Sequence, residues 1–197
     1  MDNLWISPSR TDWQRALNRY EEVVARQGVA RLPELDHFSR DELPALIHSR
    51  QSAHVTLSEL VRLTEWKMAR GVWRAPNLIL VRGNAPDVVL ATSTAALASI
   101  PHATMPITTL SQLAGVGPAT ASAVAAAAAP ERYPFFDELV AAQVPQLGKV
   151  AWTMSFYARY SDTLRLRAAA VGDGWTPVMV ERALWSHVGG KAKIRQP

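Results

Sequence analysis

Between Ile107 and Ala129 the chain has little choice but to make two helices joined by a tight turn. Ile107, Leu110 and Leu113 recur at helical spacing, so one face of the first segment is apolar. Gly115 follows them, where a glycine ends a helix. Gly117 and Pro118 open the next segment, and proline suits a first helical turn because its missing N–H is not needed there. From Ala119 to Ala129 the chain is nearly all alanine, the best helix former. So short a turn leaves N–H groups at a helix N-terminus without intrahelical partners, and its glycines let a ligand come close. An anion such as a phosphate suits that place. The candidate contacts are Gly115, Val116, Gly117, Pro118, Ala119 and Thr120; a hairpin of two helices with no ligand is the other reading.

The rest of the chain also reads as helical. Thr11 or Asp12 caps a helix over 11–27, with Trp13, Leu17, Tyr20 and Val24 on one face and Gly28 at its end. Leu32–Asp36 reads as a connector, and Ser39 or Asp41 starts a short helix to about Ser49. Thr56 and Glu59 form a capping box for a third helix, which turns Leu57, Leu60, Val61, Leu63 and Thr64 inward. That helix leads into a stretch, 65–76, where Trp66 and Trp73 alternate with Lys67, Arg70 and Arg74. Trp66 and Arg70 are four apart and share a helical face. The stretch reads either as a surface that stacks on an unpaired base and holds phosphates, or as a core tryptophan beside a solvated basic edge. Residues 77–83 favour a strand locally, but a lone strand has no partner, so they read as buried helix. Asn84–Asp87 caps a helix to about Ile100, and 101–106 is a linker. A short helix at 138–144, a long, largely buried one at 149–171, a last one at 176–189 and a basic tail from Gly190 to Arg195 complete an all-α chain.

Composition bounds the chemistry. With 197 residues, 48% hydrophobic and 19% charged, the chain can bury one sizeable core or two closely packed lobes. It has no cysteine, which excludes disulfides, thiolate zinc sites and iron–sulfur clusters. The net charge is +4 and only Lys67, Lys149, Lys191 and Lys193 are lysine among 21 cations. The arginine forks that make up the rest suit phosphates, and the balance leans toward a polyanionic partner. No apolar run is long enough to span a bilayer, so no membrane partner is expected. The opening Met-Asp-Asn-Leu-Trp shows no basic region leading into an apolar one, so no secretory leader is expected. His37, His48, His54, His102 and His187 lack metal-ligand spacing.

Asp137 lies 20 residues after Gly117, directly behind Tyr133-Pro134-Phe135-Phe136. It also precedes Glu138-Leu139-Val140, where it can serve as an ordinary N-cap. The Gly-Val-Gly hairpin followed at this spacing by an aspartate resembles the helix-hairpin-helix DNA glycosylases, the superfamily of endonuclease III, adenine glycosylase and alkyladenine glycosylase. The resemblance is carried by 107–138. It implies an all-α, two-lobed fold within a single domain, 1–197, with a cleft between the lobes. One lobe would span about 56–137 and the other 1–55 with 138–197. It implies Asp137 as the catalytic carboxylate and the hairpin as the DNA anchor. Trp66, Lys67, Arg70, Trp73, Arg74 and Phe136 would supply the base pocket or further DNA contacts. Main-chain carbonyls of Ser111, Leu113 and Val116 would hold a monovalent cation, K+ or Na+, and no other cofactor is implied.

Ala119 stands where strand-cleaving members carry a Schiff-base lysine, so a monofunctional hydrolase without lyase activity is expected. The usual glutamine-rich wedge is absent, and Trp66–Gly71 stands roughly in its place. The small side chains about Ala119 leave room for a bulky, hypermodified base, which widens the expected role from base-excision repair to defence against foreign DNA. The partner is DNA, the protein reads as a monomer, and the compartment as cytoplasm or nucleoid, or the nucleus in a eukaryote. The alternatives are a non-catalytic helix-hairpin-helix DNA-binding module and a helical protein-interaction scaffold.

Overall fold

The computed structural model describes residues 3–194, which are helical and contain no strand. The first long segment is split at Arg19 into α1 (Arg10–Asn18) and α2 (Tyr20–Ala25), and Ser9, not Thr11 or Asp12, caps it by accepting from the Asp12 N–H. The presumed connector at 32–36 is itself helix: α3 (Leu32–His37) has Pro33 in its first turn and continues through one π turn, Phe38–Glu42, into α4 (Leu43–Ser49). The capping box forms as expected at the start of α5 (Leu57–Arg70). Next come α6 (Ala75–Arg82) and α7 (Pro86–Ala98). α6 is not wholly buried, because Ile79 and Leu80 face solvent. Asn84 does not cap α7; its side chain turns to the loop after Leu113 instead.

α8 (Met105–Leu110) and α9 (Pro118–Ala128) are the two helices read around the glycines, and they pack on each other. α10 (Glu138–Ala141) is a single turn. α11 (Met154–Val171) starts later than expected because Thr153 caps it through the Phe156 N–H, leaving 149–153 outside the helix. α12 (Pro177–His187) is capped by Thr176.

Apolar burial arranges these helices around one continuous core. α12 packs against α1, α2 and α11, while α5 packs against α3, α6, α7 and α9. Aromatic residues fill the first group: Trp13 meets Trp175 edge-on at 6.2 Å, and Tyr20 lies 5.5 Å from Trp185. Phe136 sits among Phe156, Tyr157 and Tyr160, at 5.2 to 5.8 Å between ring centroids. Among the described residues no helix is long and apolar enough to cross a membrane.

Candidate functional site

A cavity of about 340 Å³ opens where the C-terminal end of α5, the start of α9 and the segment before α10 meet. The segment 133–137 is neither helix nor strand, so its backbone groups need other partners. Side chains supply them. Ser122 Oγ accepts from the Phe136 N–H at 2.9 Å, and the hydroxyl of Tyr160 donates to the Phe135 carbonyl at 2.8 Å. The hydroxyl of Tyr133 in turn ties the start of the segment to the chain before α8, donating to the His102 carbonyl at 2.8 Å. The result is a fixed, extended lead into Asp137.

Asp137 does two things with its two oxygens. Oδ1 caps α10, accepting from the N–H groups of Leu139 and Val140 at 2.8 and 3.3 Å. Oδ2 lies 3.3 Å from Nε of Arg70, and the carboxylate lines the cavity. The capping reading and the site reading of this residue thus meet in one side chain.

Arg70 is the last residue of α5 and only 2% exposed. It donates to the Tyr20 hydroxyl at 3.1 Å and pairs closely with Glu181 on α12. The Trp185 ring lies 4.5 Å from its guanidinium carbon, with Phe135 and Trp66 about a further ångström away at 5.3 and 5.4 Å. Burial works against its charge, but Glu181, Tyr20 and Asp137 more than restore it, so its pKa is raised and it stays a cation. Burial also pushes the Glu181 carboxyl up to about 7, with Asp137 adding repulsion and Arg70 opposing the shift. The buried network continues through the Tyr20 hydroxyl to Asp36 Oδ1, at 2.7 Å, which also accepts from Trp66 Nε1 at 3.0 Å.

Lys67 lies one turn before Arg70 on α5 and reaches across the cavity to α9, donating to Thr120 Oγ1 at 2.9 Å. Burial, and secondarily the nearby charge of Arg74, bring its pKa down to about 8. The start of α9 forms the facing wall with Gly117, Pro118, Ala119 and Thr120. No side chain caps this helix.

The structure thus brings Lys67, Arg70, Arg74, Phe136, Asp137 and the 117–120 turn to one cavity. It does not bring Trp66 there. That ring is buried behind the cavity, tilted 4.8 Å from Phe135 and bonded to Asp36, so it offers no face to a base. Trp73 is half exposed and stands apart from the cavity lining. Gly115 and Val116 also lie outside it. The backbone at Gly115 has φ +74°, and a Cβ there would come within 2.6 Å of the Asn77 carbonyl. Its glycine therefore admits α6, not a ligand. Asn84 clamps the same turn, accepting from the Ala114 N–H at 2.9 Å and donating to its carbonyl at 3.0 Å.

Several residues of the cavity lining have no place among the sequence candidates, Glu138, Trp152 and Lys191 among them. Trp152, 47% exposed, packs on Phe136 at 4.7 Å and forms an aromatic wall. It looked like part of the long helix; the capping threonine that follows it was the overlooked signal. Lys191 belongs to the basic tail, yet it lines the cavity and donates to the Gly71 carbonyl at 2.5 Å. The tail is held by a turn at Gly190, φ +60°, where a Cβ would meet Trp185 at 2.6 Å. Arg195, the last cation of that tail, lies outside the described residues.

On the 111–116 loop the hydroxyl of Ser111 is buried with no hydrogen-bond partner, which suits a monovalent cation, but the Leu113 carbonyl already accepts from the Val116 N–H at 3.1 Å. Among the described residues no cluster of histidine and carboxylate side chains could hold a metal. Comparison of the chain with protein-family models, curated proteins and solved structures finds no match.

Proposed function

We propose that the protein is a DNA N-glycosylase that hydrolyses the bond between deoxyribose and a flipped, modified base, leaving an abasic site. One observation carries the reading: a carboxylate, Asp137, and an uncapped helix N-terminus, that of α9, share one cavity with an aromatic wall. Each part answers a need of the reaction. The base must leave the stack to be reached, and Phe136 with Trp152 offers it a flat apolar surface. Loss of the base develops positive charge on the sugar, which the Asp137 carboxylate opposes, and water completes the bond to C1′. The first turn of α9 offers its free N–H groups to a neighbouring backbone phosphate. Ser111, Leu113 and Val116 would hold a K+ or Na+ that fixes the turn and adds to its attraction for phosphate. On this reading the cleft lies between a lobe of about 56–137 and a lobe of 1–55 with 138–197, and Ala119 leaves α9 without an amine. A bulky, hypermodified base fits the proposal, since 340 Å³ exceeds the volume of an ordinary base.

The test is incubation with duplexes carrying damaged, mismatched and hypermodified bases, followed by alkali. Breaks at one class of base in the wild type, absent in Asp137→Asn while binding persists, are expected. A panel without any breaks would sink the proposal. A second reading has its own support: both oxygens of Asp137 already have partners within the protein. In that case the protein is a non-catalytic DNA-binding module, with salt-dependent binding that is indifferent to Asp137 and lost in Gly117→Glu.

A further inference from the structure

We propose that the base removed is a pyrimidine carrying an acidic arm, and that the Lys67 ammonium selects the carboxylate of that arm at the closed end of the main cavity. Removal of the base rests on the glycosylase reading; selection of its charge does not. The ionisable side chains of the cavity lining divide unevenly. Arg70 and Asp137 answer each other, with Glu181 behind them. Glu138 is exposed at the start of α10. Lys67, Arg74 and Lys191 remain, and among the described residues none of the three has a carboxylate within ion-pair distance. Arg74 and Lys191 are exposed, whereas Lys67 turns inward to the hydroxyl of Thr120, a residue only 1% exposed. Only one of the three ammonium donors is taken within the protein.

Cations are thus set from the mouth of the cavity to its closed end. The phosphates of a bound strand stay at the mouth, where Arg74 and Lys191 meet them, and carry no information about the base. The inner ammonium is reached only by what projects from the base. A charge drawn out of water is costly without a partner, so packing alone gives no reason for a lysine there; a carboxylate supplied by the ligand gives one. Phe136 and Trp152 take the flat face of the ring, and about 340 Å³ leaves room for a substituent beyond it. An arm that leaves base pairing intact projects into the major groove, as the C5 substituent of a pyrimidine does. The same cations turn away a base that is itself a cation, such as one alkylated on a ring nitrogen. Protonation of Lys67 is tuned by these surroundings. Burial, and then the charge of Arg74, bring its pKa down to about 8, and no carboxylate opposes them. An acid placed beside the ammonium raises that value, so binding near pH 8 takes up a proton.

The test uses the full chain and two deoxynucleosides of the same shape, 5-carboxy-2′-deoxycytidine and its neutral amide, 5-carbamoyl-2′-deoxycytidine, titrated by calorimetry. At pH 7 the acid is expected to bind at least about tenfold more tightly than the amide. The gap should narrow between pH 8 and pH 10 as Lys67 loses its proton, and close in Lys67→Met. Heats measured on the wild type at pH 8, in buffers of different ionisation enthalpy, should show uptake of roughly half a proton per acid bound and none per amide. That readout needs no variant, so a misfolded substitution cannot mask the answer. Equal binding of acid and amide, a preference that survives in Lys67→Met, no proton uptake, or no binding of either nucleoside overturns the proposal. Duplexes carrying the same acid and amide, scored for alkali-labile breaks, let the two readings fail separately. Acid-selective binding with no base excision on any DNA keeps the carboxylate site and removes the glycosylase. Excision that ignores the charge of the arm does the reverse.

Discussion

Two side chains of the cavity separate what the fold wants from what a reaction would want. Lys67 has its folded pKa below the ordinary lysine value, so the native state binds fewer protons than the unfolded chain between about pH 8 and 10.5. Its contribution to stability is therefore present above 10.5 and is lost as pH falls through 8. At pH 7 the buried ammonium costs on the order of 1–3 kcal/mol. Lys67→Met should raise Tm at pH 7 by several degrees, and the gain should shrink as pH is raised from 8 to 10.5; thermal melts across that range check it. Asp137 divides differently. Asp137→Asn keeps the oxygen that caps α10 and should cost about 1–2 kcal/mol through the lost ion pair, since Arg70 retains Glu181. Asp137→Ala loses the cap too, and should cost about 1 kcal/mol more, read by urea denaturation. If catalysis is the role of this carboxylate, base excision is lost equally in both variants while their stabilities differ.

At the scale of elements, the turn between α8 and α9 is held by what lies behind it. Gly115→Ala places a methyl against the Asn77 carbonyl in a left-handed backbone, and should cost roughly 2–4 kcal/mol by strain and by pushing α6 away. Asn84→Ala should cost only about 1 kcal/mol, because its two bonds to Ala114 are exposed. Its larger effect should fall on DNA affinity, measured at fixed salt, if the turn has to be fixed to meet a phosphate. These packing contacts explain which parts of the chain were legible. The capping box at Thr56 and the start at Pro118 are local rules, and the structure keeps them; the stop expected at Gly115 comes earlier, because α8 already ends at Leu110 with Ser111 as its C-cap, and Gly115 instead makes a left-handed turn against α6. Leu32–Asp36 escaped because Pro33 reads as a connector until it is seen to occupy a first helical turn. Trp66 and Trp73 could not be ranked, because helical spacing gives a face but not what covers it. Asp36, 30 residues earlier, is what draws Trp66 inward. The convergence of Lys67, Thr120 and Asp137 on one cavity is a tertiary fact with no local trace.

Across the whole molecule the charge at Arg70 is the shared element. Arg70 and Phe135 line the main cavity and also a second one, of about 210 Å³, that is bounded by Asp36, Glu181 and Arg182 on its far side. Glu181, with a folded pKa near 7 against an ordinary value near 4.5, gives stability that is present below 4.5 and lost as pH rises through 7. Glu181→Gln should flatten the fall of Tm between pH 5 and 7.5; an unchanged slope would assign that fall to other groups. The same contacts tie early and late parts of the chain. Arg10 bonds to the Asp173 carbonyl 163 residues on, Trp13 rests on Trp175, and Gln27 donates to the Gly189 carbonyl. On a ribosome making about 5–20 residues per second, α1 emerges roughly 8–30 s before Trp175 and α12, which pack against it. During that interval the aromatic face of Trp5 and Trp13 is open to whatever else in the cell binds nascent apolar chain, and the yield of folded protein depends on how fast α12 arrives.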